Sequence, residues 1–154
     1  MPSKPRPTTR SPEVFLDAKD DLIEILCDCP CMEGAENSDV EKALGIISSA
    51  FDHDGFKLAK DIEGRLYCDC CLEDAEQLDN VDSILMSHRD AIIREWVKAE
   101  KLVIPHKIGD TISFTWGEKD MTGVVEKLNP EDATLTVKVE GESGKPIVYL
   151  ESVK

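Results

Sequence analysis

Two different hydrophobic rhythms divide this 154-residue chain. Up to about residue 100, apolar side chains recur every three or four positions, the period of an amphipathic helix. Ser11-Pro12-Glu13 punctuates a first helix, with Ser as cap, Pro in the first turn and Glu at the positive dipole end. Phe15, Ala18, Leu22, Ile25 and Leu26 continue it until Pro30, which predicts an end near Cys27–Asp28. Ser38-Asp39-Val40-Glu41 has the spacing of a capping box and predicts a second helix through Ala50. Asp54 is placed to cap a third, carrying Phe56, Leu58, Ala59 and Ile62, with Gly64 as its expected stop. A short helix over about 71–79 and a long one over about 81–100 complete the set, the latter with Val81, Ile84, Leu85, His88, Ile92, Trp96 and Val97 on one face.

After Pro105 the period shortens. Residues 110–116, 121–128, 133–140 and 146–153 are rich in Val, Ile, Thr and aromatics, and GEKD, NPED and GESG separate them. This predicts short antiparallel strands. The chain therefore reads as α+β: an N-terminal acidic helical bundle, residues 11–104, followed by a small C-terminal antiparallel β-barrel, residues 105–154. Residues 1–10, with three prolines and three cations, read as a mobile basic tail. Asp110 after Gly109, the aromatic end of TISFTW, the charged turn, Gly123-Val124-Val125 and the closing Leu150-x-x-Val153 together resemble the small Tudor-like or KOW-type barrels. That resemblance covers the last third of the chain and implies a fold and a general binding role. Barrels of this kind that bind methylated side chains use several aromatics, and only Phe114, Trp116 and Tyr149 are offered here.

Charge sharpens the picture. The net charge is −14, and residues 11–104 carry 23 Asp/Glu against 9 Lys/Arg. An acidic surface repels phosphate backbones, so direct nucleic-acid binding is not expected and a basic protein partner is. No apolar run reaches the roughly 18–20 residues of a membrane span, and no signal-peptide stretch precedes the first helix, so the expected compartment is the cytoplasm.

All six cysteines fall in two clusters, Cys27-Asp-Cys-Pro-Cys31 and Cys68-Asp-Cys-Cys71. In a reducing compartment clustered thiols point to metal or redox chemistry more than to structural disulfides. Both clusters sit at helix ends, where two turns can present thiolates to a structural zinc ion. The candidate ligands are Cys29, Cys31, Cys68 and Cys71, with Cys27 expected on the inner face of the first helix. One-residue gaps are unusual for zinc, so packing of small buried cysteines and a redox role for the Cys68/Cys71 pair stay open. Asp52-His53-Asp54 lacks the Glu that a calcium loop needs at its twelfth position and reads as a capped turn. The pairs Glu73/Asp74 and Asp79/Asp82 read as solvated helix faces, and His88 as a hydrogen-bonded boundary residue. No phosphate loop, dinucleotide fingerprint or nucleophile elbow is present.

The expected function is a non-enzymatic protein-interaction module acting through the acidic helical face, the barrel rim, or both. Trp116, Glu118 and Lys119, at a barrel turn, are the first candidates for partner contact. Two alternatives remain: a small acidic inhibitor that presents nucleic-acid-like charge to a basic protein, as phage anti-defence proteins do, and a thiol- or metal-dependent enzyme. Sheet edges or apolar helix positions would also allow a homodimer.

Overall fold

The computed structural model describes residues 2–154. Six helices precede a four-stranded antiparallel sheet among these residues, so the α+β order stands. The helices are α1 (Pro12–Asp17), α2 (Lys19–Asp28), α3 (Asn37–Ser49), α4 (Gly55–Leu66), α5 (Leu72–Leu78) and α6 (Asn80–Ala99). The strands are β1 (Thr111–Trp116), β2 (Lys119–Asn129), β3 (Thr134–Lys138) and β4 (Ile147–Tyr149). None of the described helices is long and apolar enough to cross a membrane. The chain divides into two compact units. One holds Pro7–Ile92; the other holds Ile93–Lys154 together with the segment that ends at Arg6.

In the helical unit, Val14, Leu22, Leu26, Ile47, Leu58, Ile62, Leu78, Val81 and Leu85 form a continuous apolar core. These are the positions that the 3.6-residue period selects. Asp54 caps α4 by accepting from the Lys57 N–H at 2.9 Å. Gly64 does not end that helix. The chain continues to Leu66 and stops at Tyr67, which takes the left-handed conformation at φ 55° and donates back to Glu63 O. The first predicted helix is divided at Ala18 into α1 and α2. Because α2 turns Leu22, Ile25 and Leu26 inward, with its C-terminal cap Cys29 buried beyond them, Cys27 is left exposed, against the expectation that it faces the core.

In the other unit each strand pairs with its sequence neighbour, in the order β1-β2-β3-β4. A bulge between Val125 and Lys127 bends the long β2, as an extra residue in one strand does. The sheet curls into a half-barrel around Ile112, Phe114, Val125, Leu135, Val137 and Val148. An isolated bridge between Phe114 and Val153 and a hydrogen bond from Lys154 N to Ser113 O bring the two ends of the sheet together. Arg6, which falls in the stretch read as a mobile tail, keeps only 10% of its side chain exposed in this unit.

Candidate metal centre

The two cysteine clusters meet. Sγ atoms of Cys31, Cys68 and Cys70 all lie within 4.8 Å of one another, each residue half-buried. A tetrahedral ion with sulfur ligands at 2.3 Å requires sulfurs about 3.8 Å apart; Cys68 and Cys70 are separated by 3.9 Å. The set differs from the four candidates that spacing suggested. Cys31 and Cys68 are brought together, but their companion is Cys70 and not Cys71, and Cys29 stands apart from them, buried, with its thiol 4.0 Å from the Asp74 carbonyl.

Local backbone geometry explains the exchange. Residues 67–71 leave α4 and run without helix to Cys71, which is extended at φ −108°, ψ −179° as the residue before α5. Cys68 and Cys70 are half-buried with their sulfurs 3.9 Å apart, while Asp69 and Cys71 are exposed. The one-residue gap that looks unfavourable for zinc is what aims two sulfurs at one point. Cys31 arrives from the short 3₁₀ turn Pro30–Met32 that ends the first cluster.

Asp74 holds the two turns in register. Its Oδ1 accepts from the Cys31 N–H at 2.8 Å and its Oδ2 from the Cys71 N–H at 2.7 Å. The second contact is the reach-back of the third residue of a helix that a capping box uses. Asp74 is fully buried, so its reading as part of a solvated face is corrected. Nothing in the local pattern marked it, because its partner Cys31 is 43 residues away. Asp79 is exposed, yet it too has a structural task, accepting from the Gly55 N–H at 2.8 Å.

The electrostatics follow from this one buried carboxylate. Burial by itself would raise the Asp74 pKa; the Cys31 and Cys71 N–H groups outweigh it and hold the carboxyl below its ordinary value. The resulting negative charge, added to burial, opposes ionisation of the neighbouring thiols. Burial, and then Asp74, push Cys29 up to about 12. Burial, reinforced by Cys70 and Asp74, also raises Cys31. Burial leads again at Cys70, pushed up to about 11. With no cation beside them, these thiols stay protonated at neutral pH. A soft divalent ion would supply the positive charge that permits three thiolates to form. A concavity of about 160 Å³, lined by Phe56, Lys60, Glu63, Cys70, Cys71 and Leu72 among others, adjoins the cluster.

The residues proposed for partner contact occupy the β1–β2 hairpin of the other unit. Trp116 pairs with Lys119 across a two-residue loop, and Gly117 at its first position has φ +61° as such tight loops demand. Trp116 is 48% exposed and Glu118 and Lys119 are exposed. Trp116 walls two shallow grooves. One, of about 360 Å³, runs along Lys119, Met121, Lys145 and Pro146; the other, of about 380 Å³, runs along Ile147, Tyr149 and Ser152.

Comparison with protein-family models, with curated proteins and with solved structures finds no match.

Proposed function

We propose that this chain is a non-enzymatic, cytoplasmic interaction module: the half-barrel rim takes the partner, and a structural zinc ion on Cys31, Cys68 and Cys70 staples the helical unit. The observation that carries the binding half is Trp116, a large aromatic left half-exposed between two concavities. Tryptophan in such a place is the residue type that most often dominates an interface. Glu118 and Lys119 give the rim a polar edge, and the net charge of −14 favours a basic protein partner.

The surroundings of Cys29, Cys31 and Cys70 favour a structural over a nucleophilic role for these three thiols. A thiol enzyme needs a low-pKa, accessible sulfur, whereas burial and Asp74 push Cys29, Cys31 and Cys70 the other way.

A photo-crosslinking residue in place of Glu118 tests the rim. Crosslinks to a basic protein that fade as salt rises from about 0.1 M to 1 M, and that disappear in Trp116→Ala, are the expected result. Crosslinks that persist unchanged in Trp116→Ala contradict the rim reading. The acidic-inhibitor alternative instead places salt-sensitive crosslinks on the helical unit, where 21 of the 32 carboxylates are found.

A further inference from the structure

Arg6 is held in the half-barrel unit as a bound ligand would be. Its guanidinium is sandwiched between two aromatic rings, with Cζ 4.6 Å from the Tyr149 centroid and 5.1 Å from that of Trp96. Glu151 receives it in bidentate fashion, from Nε at 2.6 Å and from Nη2 at 3.1 Å. Nη1 donates to the Asp132 carbonyl at 2.7 Å and Nη2 to the Ala133 carbonyl at 3.1 Å. Ala133 is buried in the left-handed conformation at φ 51°, an arrangement that non-glycine residues adopt only when their surroundings impose it. Its carbonyl also accepts from Leu150 N, so the turn after β2 and the turn after β4 are tied together around the guanidinium.

Every wall of this pocket except the ligand comes from residues 96–151, while Arg6 arrives from a segment about ninety residues earlier in the chain. Among the described residues, the segment is otherwise joined to the unit by Ser3, bonded to the exposed Glu100 at 2.6 and 2.8 Å, and by Lys4 O, which accepts from the Trp96 indole N–H at 3.3 Å.

We infer that Trp96, Tyr149, Glu151 and the Asp132 and Ala133 carbonyls form an arginine-recognition site, occupied in cis by Arg6 and open in trans to an arginine-bearing peptide of a partner. The chemistry selects an unmodified guanidinium. Both hydrogens of Nη2 are engaged, so methylation there removes a hydrogen bond. A lysine ammonium cannot make the paired contact to Glu151 or stack as a plane between two rings. The inference deepens the binding-module reading by naming the partner's side chain. It also makes the segment around Arg6 a competitor that lowers the apparent affinity of any such peptide.

The probe is the heptapeptide SKPRPTT, identical to residues 3–9, titrated calorimetrically into full-length Arg6→Ala. Saturable binding to this variant, at least about 10-fold tighter than to the unsubstituted chain, is expected. The same peptide with lysine in place of arginine should bind at least about 10-fold more weakly, and Glu151→Gln in the Arg6→Ala background should abolish binding. No binding to a folded Arg6→Ala, or equal binding of the arginine and lysine peptides, overturns the site and leaves the rim reading to its own crosslinking test. If Arg6→Ala does not fold, excess peptide is added to the unsubstituted chain and the Trp96 indole N–H resonance is followed. The peptide carries a paramagnetic label for this purpose: broadening of the resonance supports exchange, and a signal left sharp by millimolar labelled peptide refutes it.

Discussion

The carboxylate of Asp74 accepts the backbone N–H of Cys31 at 2.8 Å, joining two cysteine turns that are more than forty residues apart. With the matching bond to Cys71, it fixes where the sulfurs of Cys31, Cys68 and Cys70 can be. The thiol triangle is thus preorganised by a residue that contributes no sulfur.

Removing that carboxylate leaves two amide donors without acceptors. Asp74→Ala should lose about 2–4 kcal/mol of stability and Asp74→Asn about 1–3 kcal/mol, since an amide can still accept one of the two bonds. Urea unfolding of both variants measures this. An unchanged midpoint in Asp74→Ala would show that the turns are held by something else.

Two glycines of α4 should respond in opposite senses. At Gly55 an added Cβ would meet the Ala75 carbonyl and lie 2.6 Å from Asp79 N, both backbone of α5 and its C-terminal cap. Gly55→Ala should cost about 1–3 kcal/mol or more. At Gly64 nothing lies within 4 Å and the helix runs on to Leu66. Gly64→Ala should therefore gain about 0.5–1 kcal/mol. Thermal melts of the pair check the sign of each; a stabilised Gly55→Ala would mean that α4 and α5 do not approach as closely as described.

His88 links α6 to both α1 and α2, with Nδ1 2.7 Å from Asp17 Oδ2 and Nε2 2.8 Å from Asp21 Oδ2. Both ring nitrogens can donate only in the imidazolium form, and the two carboxylates raise the His88 pKa above its ordinary 6.5. A raised folded-state pKa gives stability that is complete below the unfolded value and is lost as pH climbs through the folded one. Melting temperature should accordingly fall as pH rises above about 6.5, and His88→Gln should remove that dependence. The same slope in His88→Gln would assign it to another group.

The helices and strands were legible because their periods are local: Asp54 caps α4 as its position suggested, and the sheet strands fall within a few residues of the apolar alternation, whereas Ser11 makes no side-chain cap bond and α3 begins at Asn37, ahead of the Ser38 expected to cap it. What escaped depends on distance along the chain or on backbone conformation. Asp74 looked like surface because its partner at Cys31 is remote in sequence. Tyr67, not Gly64, ends α4, since a left-handed residue need not be glycine when its N–H finds Glu63 O. Cys70 displaced Cys71 because Cys71, the residue before α5, is exposed while Cys68 and Cys70 are half-buried together, a detail that ligand spacing alone cannot convey. Arg6 could not be assigned from a stretch whose composition is that of a tail, since its aromatic and carboxylate partners are supplied by residues 96, 149 and 151.

The most direct measurement is the zinc content of full-length protein purified without chelator, beside that of Cys70→Ser and Cys71→Ser. The account predicts about one zinc per chain, retained in Cys71→Ser and lost in Cys70→Ser together with stability. Zinc retained in Cys70→Ser but lost in Cys71→Ser would place the ligands elsewhere. A metal-free protein with all six thiols titratable would reduce the cluster to packing and contradict the staple.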